Sequence, residues 1–398
     1  MFIYISIMNL EANIERPQID RKIYLMRDTG MSYKVLKYDD KYVCDNDEEM
    51  GKYRSVIFSE PEEKLLCYSP PKSITMDLFY MRNTCINATD IMVTEIKEGI
   101  MISLFWDDRI NGWELASKGA VGGNYWFFRT QYNNTEKSQK TFRDMFLEAF
   151  RVTDLKSVIF EELPKGKENE RICYNFVLQH PDNHIVLSIL RPRIYLVSVY
   201  LLNSNTNSGE FITSGEFISP EVYRMWRVFD NLSSIIEFPE EITEYSDEYD
   251  MGSTPGLMFL NTSTGDRACL ENPRYAELKE LRGNNPNLHY QYLCLRRISK
   301  VDDFLGHFPQ YKNTFHRFFN QFESFVKNVH QAYMDYYITK ISCDNENNIY
   351  LPVIHKLHYE VYLPSLQTEK IIMRKTEVRK QLLQFAPSVL FHYLYVCL

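Results

Sequence analysis

The chain has 398 residues, 44% of them hydrophobic and 25% charged, which is an ordinary composition for a globular protein of two or three domains. Its formal net charge of −8 excludes attraction to nucleic acid by overall charge, so any RNA contact requires a local basic groove. No apolar run approaches the roughly 20 residues of a membrane span, and eight scattered cysteines without zinc-ligand spacing are typical of reduced thiols in the cytoplasm.

The first 130 residues are predicted to consist of strands and turns, because short apolar runs alternate with polar turns. These β-type runs are Phe2–Met8, Ile23–Met26, Tyr33–Leu36, Arg54–Phe58, Leu65–Tyr68 and Ile100–Trp106. The charged turn Glu60–Lys64 predicts a hairpin between the fourth and fifth runs. The first run has no basic leader and no small-residue cleavage site, so it favours a strand over a signal peptide.

The pattern then changes to helical spacing. Apolar residues three and four apart predict a helix from Glu136 to Arg151 with one buried face. Strands are expected again at 172–177 and 185–202. The acidic run Glu237–Asp250 is typical of a solvated loop, and Gly-Glu-Phe-Ile, which occurs at 209–212 and 215–218, is too short to be a structural repeat.

From about residue 300 the chain is predicted to be helical. An aromatic stripe indicates one long helix from Gln310 to Ile341, and a second helix is expected from Glu369 to Phe385, before Pro387. The second helix has a basic cluster that suits either a solvated face or an RNA-phosphate contact; its members are Lys370, Arg374, Lys375, Arg379 and Lys380. The predicted architecture is therefore a mixed α+β body, residues 1–300, and an all-helical C-terminal domain, residues 301–398.

The segment Val93–Ser103 resembles the active-site signature Lys-x-Asp/Glu-Gly of covalent nucleotidyltransferases with its nucleophile missing. The lysine position, three residues before Gly99, is Ile96. The nearby Lys97 is one residue too close to the glycine. In a strand this shift would turn the amine away from the pocket, whereas a bulge before Gly99 could restore its direction.

Six further segments match motifs of one known protein family, in the order in which that family has them. They are Lys52–Phe58, Pro70–Ile74, Ala116–Gly119, Phe176–Val186, Thr254–Met258 and Arg267–Tyr275. Together with Val93–Phe105 they resemble the ATP-dependent RNA ligases of bacteriophages and large DNA viruses, of the RNA ligase 1 type, over roughly residues 20–300. The resemblance implies an α+β nucleotidyltransferase fold with ATP-grasp-like antiparallel sheets, followed by a helical domain.

In that family a lysine amine attacks the α-phosphate of ATP and forms a lysyl-AMP intermediate. Mg²⁺ and further lysines stabilise the phosphoryl charge, and carboxylates hold the ribose and the metal. The adenylate then passes to a 5′-phosphate RNA end, and a 3′-hydroxyl displaces AMP. The resemblance therefore implies ATP and Mg²⁺ as cofactors of an active member.

Five chemical positions of the family pattern are replaced together in this chain. Ile96 stands for the nucleophile, Val177 and Pro255 stand for glutamates, and Cys269 and Glu271 stand for two lysines. Loss of a nucleophile from a catalytic set typically lowers the rate about a million-fold. We therefore expect no catalytic residue and no bound metal.

Cations are kept at three motif positions, Arg54, Lys72 and Lys118. Arg267 lies two residues before Cys269, on the same face of a strand, and could replace one lost lysine. These four residues are the predicted nucleotide- or RNA-binding residues.

The favoured function is a viral, RNA-ligase-like pseudoenzyme that needs no cofactor and binds RNA, nucleotide or protein in a virion or assembly role. The alternative is an active ATP- and Mg²⁺-dependent RNA ligase that uses Lys97, with Arg54, Lys72 and Lys118 around the phosphates. A third function, a structural interaction protein without nucleotide binding, suits the acidic charge and the aromatic-rich tail. RNA and other viral proteins are the candidate partners, a membrane is not, and the expected location is the host cytoplasm or the virion.

Overall fold

The computed structural model of the chain describes residues 5–7, 10, 14–44, 47–83, 90–126, 140–161, 163, 165, 170–203, 208–212, 235–237, 239–242, 250–261, 264–283, 285, 287–340, 349–367 and 371–396. Its contacts divide the chain into two compact units, residues 1–127 with 132–277 and residues 278–398 with 128–131. The division falls inside the helix Pro273–Arg282, whereas the sequence predicts a domain boundary at residue 300.

All described strands belong to the first unit. They are β1 (Ile5–Ile7), β2 (Ile19–Leu25), β3 (Ser32–Tyr38), β4 (Val56–Glu60), β5 (Leu65–Tyr68), β6 (Ile91–Glu95), β7 (Ile100–Asp107), β8 (Gly112–Ser117), β9 (Ala120–Val121), β10 (Glu170–Gln179), β11 (Arg193–Asn203), β12 (Ser208–Ile212), β13 (Ile236–Glu237), β14 (Gly256–Asn261) and β15 (Arg267–Glu271).

Helices occur in both units. The described α-helices are α1 (Glu48–Gly51), α2 (Met76–Asn83), α3 (Phe142–Phe150), α4 (Val158–Glu161), α5 (Pro273–Arg282), α6 (Leu288–Arg297), α7 (Val301–His307), α8 (Lys312–Tyr333), α9 (Leu351–Leu357), α10 (Leu363–Ser365), α11 (Lys375–Gln384) and α12 (Pro387–Val396).

The described strands form three sheets. The largest has the order β1-β12-β11-β10-β7-β8-β9, with β13 added to β11 in parallel. A four-stranded sheet has the order β2-β3-β4-β5, and a three-stranded sheet has the order β15-β14-β6. Apart from the β11–β13 pair, the neighbours within these sheets are antiparallel, so the predicted α+β body with antiparallel sheets is confirmed at this level.

The two faces of the largest sheet bury different partners, because successive side chains of a strand alternate between faces. Cys173 of β10 joins the core shared with the four-stranded sheet. Tyr174 and Phe176 join the opposite core, against α3. Helix α3 begins at a capping box in which Thr141 and Asp144 bond reciprocally, and this fixes its start beside the sheet.

The three-stranded sheet has a small core of its own. Phe79 of α2 packs edge-on against Phe259 of β14, with the ring centroids 6.2 Å apart. A bridge between Ile74 and Ala268 joins the segment before α2 to β15. This sheet therefore brings the chain around residue 74 next to β15.

The described part of the second unit is entirely helical, as the sequence predicts. The buried stripe of α8 includes Phe315, Phe318 and Phe322, and the helix continues as a π-helical segment, Met334–Thr339. The last residues of the predicted Gln310–Ile341 helix thus change hydrogen-bond pattern. None of the described helices is both long and apolar enough to cross a bilayer.

Some predicted elements are shorter than the sequence indicates. The strand expected from 185 begins only at Arg193, since Pro192 has no amide hydrogen and residues 185–187 direct their amides to a side chain instead. The helix expected from 136 begins at Phe142, and that expected from 369 begins at Lys375. Residues 136–139, 369–370, 215–218 and most of the acidic run 237–250 lie outside the described residues.

Candidate functional site

The segment 96–99 connects β6 of the three-stranded sheet to β7 of the largest sheet, and it is not part of either strand. Its entry is fixed by the Ile96 amide, which donates to the Gly256 carbonyl oxygen at 2.9 Å. Because the segment is not a strand, side chains here do not alternate strictly between two faces. Lys97 is therefore not turned away from the pocket by strand alternation, contrary to the expectation from the sequence.

Lys97 is held by two neighbours. Its ammonium donates to Glu95 Oε2 at 2.5 Å and lies 5.6 Å from the centroid of the Tyr195 ring. Tyr195 of β11 is paired in register with Val177 of β10, the residue at a replaced glutamate position. The amine is thus near that part of the largest sheet, in an ion pair with a carboxylate.

Glu98 is the centre of a buried polar cluster, which we call the Glu98 junction: Glu98, residues 185–187 and Tyr275. The Glu98 side chain accepts hydrogen bonds from the backbone amides of Ile185, Val186 and Leu187 at 2.6, 3.1 and 3.0 Å. The Tyr275 hydroxyl donates to it at 2.6 Å. Burial, followed by this bond to Glu98, raises the pKa of Tyr275. The junction joins three of the motif segments found in the sequence.

Two glycines allow the backbone segments to approach closely. A Cβ placed on Gly99 would lie 2.5 Å from the Leu178 carbonyl oxygen and 2.7 Å from Val177 Cγ1. Gly256 has a φ of +153°, and a Cβ there would overlap the Leu270 carbonyl oxygen. Both positions therefore require glycine for packing, whatever the chemistry of the site.

Arg54 and Arg267 form a pair of like charges, which we call the arginine pair. Burial, and then the charge of Arg54, lower the pKa of Arg267 to about 10. Tyr68 and Tyr200 are also electrostatic neighbours of Arg267, and their rings meet edge to face with centroids 4.9 Å apart. The Nε of Arg267 is buried without a hydrogen-bond partner in the described chain, and one Nη contacts the Met258 sulfur at 3.5 Å.

Lys72 and Lys118 both lie over the ring of Tyr38, with their ammonium groups 5.8 and 4.5 Å from its centroid. Lys72 also donates to the Val43 carbonyl oxygen at 2.9 Å, and Lys118 forms an ion pair with Asp40 at 3.0 Å. We call these two residues the lysine pair. Unlike Arg267, each has a strong oxygen acceptor within the protein.

Two hydrogen bonds connect the segments of the lysine pair to those of the arginine pair. The amide of Ile74, two residues after Lys72, donates to the Arg267 carbonyl oxygen at 2.8 Å. The Ser55 hydroxyl, next to Arg54, donates to the Ser117 carbonyl oxygen, next to Lys118, at 3.3 Å. The four predicted cations, which come from distant parts of the sequence, thus lie on adjoining segments of one unit.

The replaced positions have no common environment. Val177 is buried, Ile96, Pro255 and Cys269 are half-buried, and Glu271 is exposed. Cys269 is an electrostatic neighbour of Arg267, which agrees with their placement two residues apart on β15. In the described residues no group of three or more histidine, cysteine or carboxylate side chains could hold a metal ion.

Sequence reasoning missed the roles of Glu98, Glu95 and Tyr195. Glu98 could have been found, because a carboxylate beside Gly99 in a largely apolar stretch must find donors when it is buried. Glu95 is only two residues from Lys97, so a local ion pair was open to sequence reasoning. The Tyr195 ring had no signal in the sequence, since its position beside Lys97 depends on a contact with the largest sheet.

Comparison with known proteins gives one distant relationship. No family model matches the chain. The chain is 22% identical over 267 residues to a protein described as "Immediate-early protein ICP-46 homolog" from Invertebrate iridescent virus 6. The match covers 64% of this chain and 58% of the viral protein. The chain is therefore similar to a viral protein, in agreement with the predicted viral relationship.

Proposed function

We propose that this chain is an RNA-ligase-like pseudoenzyme that binds the phosphates of a nucleotide or RNA without forming a covalent adenylate. The observation that carries the proposal is the arginine pair. Two guanidiniums that repel each other, one of them half-buried with a buried and unbonded Nε, have no carboxylate within ion-pair distance among the described residues. Such an arrangement is unfavourable alone and becomes favourable when an anion enters.

The anion would have a phosphate-like shape. Arginine presents planar pairs of N–H donors that match two oxygens of a phosphate group. The lysine pair on adjoining segments adds positive charge, although Asp40 offsets part of it. RNA or a nucleotide supplies phosphates that could contact both pairs, and an acidic chain needs such a local cluster to bind them.

Covalent catalysis has weaker support. The residue at the nucleophile position is Ile96, and the nearby Lys97 is bound to Glu95 at 2.5 Å. A side chain engaged in this ion pair is not free to attack a phosphate. Val177 and Pro255 offer no carboxylate for a metal.

One observation favours the alternative, an active RNA ligase. Lys97 lies in a connection rather than a strand and sits over Tyr195, the register partner of Val177. If Glu95 released the amine, Lys97 could be the attacking group. Labelled ATP with Mg²⁺ followed by a denaturing gel distinguishes the two functions: we expect no covalent AMP band, and a band abolished by Lys97→Ala would establish the ligase.

Non-covalent binding needs a separate experiment. We expect ATP and a single-stranded oligoribonucleotide to bind the intact chain, with RNA affinity falling steeply as salt increases. Arg54→Ala should weaken both, whereas Arg21→Ala, the same charge change at an exposed residue of β2, should not. Unchanged affinity in Arg54→Ala would refute the proposal, and a protein that binds neither ligand would point to the structural interaction function.

A further inference from the structure

A second positively charged region lies on the first unit, at a cavity of ≈ 320 Å³. It is formed by the C-terminal end of α3, the start of β11 and the residues at β13. Its charged lining consists of Arg151, Arg191, Arg193, Glu148 and Glu237. The volume is at the lower end of the range for small-ligand pockets, roughly 300–1,000 Å³.

The two carboxylates of this lining already have partners. Glu148 accepts from Lys140 at 2.5 Å and contacts the His180 ring at 3.2 Å, and these bonds lower its pKa. Glu237 lies 3.7 Å from Arg193. Since Lys140 offsets the charge of Glu148, the lining of the cavity has a surplus of positive charge from its arginines.

Arg151 and Arg191 supply that surplus. Within the described residues, neither has a carboxylate at ion-pair distance, and both side chains are exposed. Arg193 is positioned by its bond to the Tyr195 hydroxyl at 3.2 Å. Three arginines from two different elements therefore line the cavity.

The backbone conformation at residue 151 gives no reason for the presence of an arginine at this position. Arg151 ends α3 with φ +59° and ψ +36°, a left-handed conformation that favours glycine or asparagine. Its amide caps the helix by donating to Glu148 O, which any residue type could do. A cation near the helix end compensates the helix dipole, but this accounts for one arginine rather than three.

We propose that this cavity is a phosphate-binding site in which Arg151, Arg191 and Arg193 hold the oxygens of one phosphate group. Arginine forks match phosphate oxygens in pairs, and three of them around a concave surface bind more tightly than one. The phosphate belongs to a small phosphorylated molecule or to an RNA backbone. The site is separate from the arginine pair and does not depend on the function proposed for that pair.

Calorimetric titration of the intact chain with pyrophosphate tests the proposal. Arg191→Ala should weaken binding at this site by roughly tenfold or more, as expected for loss of one charge-assisted contact. Arg151→Gly should weaken it similarly while raising the unfolding temperature, because glycine suits the left-handed cap. That combination separates a ligand-binding role from a structural one.

One control variant completes the test. Arg297→Ala removes an exposed arginine of the second unit and should not affect this site. A parallel titration with an oligoribonucleotide identifies the source of the phosphate, since only an RNA site loses RNA affinity in Arg191→Ala. Pyrophosphate and RNA affinities that are both unchanged in Arg191→Ala and Arg151→Gly would overturn the proposal.

Discussion

Tyr275 donates its hydroxyl hydrogen to the carboxylate of Glu98 at 2.6 Å, across a separation of 177 residues. The bond is buried, and three backbone amides bind the same carboxylate. Glu98 is 5% exposed. A buried charge of this kind is stable only when its hydrogen bonds are complete.

Tyr275→Phe removes that hydroxyl and keeps the ring. The carboxylate then loses one of its donors in a buried site, so we expect the free energy of unfolding to fall by about 1.5–3 kcal/mol. Urea denaturation measures this. Tyr42→Phe, at an exposed tyrosine, is the matched control and should change stability by less than about 0.5 kcal/mol. Equal stability of the two variants would contradict the role given to the junction.

Gly99→Ala adds a methyl group where the backbone of β10 leaves no space. The added Cβ would lie 2.5 Å from the Leu178 carbonyl oxygen, so β7 or β10 must move. We expect a loss of about 1–3 kcal/mol in thermal unfolding. Gly306→Ala is the control, because nothing lies within 4 Å of its added Cβ, and alanine in a helix should stabilise by about 0.5–1 kcal/mol. A neutral Gly99→Ala would show that the two segments are further apart.

Arg54→Ala should stabilise the ligand-free chain even though it weakens phosphate binding. It removes the like charge that, after burial, lowers the pKa of Arg267, and so relieves a repulsion between the two side chains. Chemical denaturation without phosphate measures the free energy of unfolding of Arg54→Ala and of Arg21→Ala. The comparison shows whether the loss of Arg54 stabilises the chain. A destabilised Arg54→Ala would mean that Arg54 has a structural partner rather than a binding role.

The second unit should lose stability in acid through His289. Burial, and then the charge of Arg317, lower the pKa of His289 from 6.5 to about 4, and its ring stacks on Phe318 at 4.3 Å. Since the folded pKa is below the unfolded one, the unfolded chain binds the proton first as pH falls. The stability that His289 contributes is complete above pH 6.5. It declines as the pH falls toward 4, and the loss is about 2 kcal/mol at pH 5.

His289→Phe keeps a stacked ring and removes the titration. Its unfolding free energy, measured by urea denaturation at pH 7 and pH 5, should fall less between the two values than that of the unchanged chain. His316→Phe, at an exposed histidine of the same unit, should retain the full pH dependence. If His289→Phe retained it too, another group would be responsible.

Local patterns predicted most of the elements. Short apolar runs between polar turns predicted β2, β3, β5 and β7, and the aromatic stripe predicted α8. The strand predicted from 185 failed, because its first amides bind Glu98, a residue far away in the sequence. The strand predicted around Lys97 was wrong for a similar reason. The segment crosses between two sheets whose arrangement the sequence does not reveal.

The candidate site shows the same limit. The sequence named Arg54, Lys72, Lys118 and Arg267, but it could not predict that the two arginines would adjoin without a carboxylate while each lysine found an oxygen. Such pairing depends on contacts between residues 29 and 78 positions apart for the lysines and about 200 apart for the arginines, where no spacing rule applies.

The Glu98 junction has a consequence for the order of folding. Glu98 is synthesised early, its amide donors follow about 90 residues later, and Tyr275 comes last. At ribosomal speeds of about 5–20 residues per second, the carboxylate waits many seconds for its final donor. During synthesis the Glu98 junction therefore stays incomplete until α5 emerges, so the three-stranded sheet and the largest sheet are fixed together at this junction only near the end of the first unit's translation.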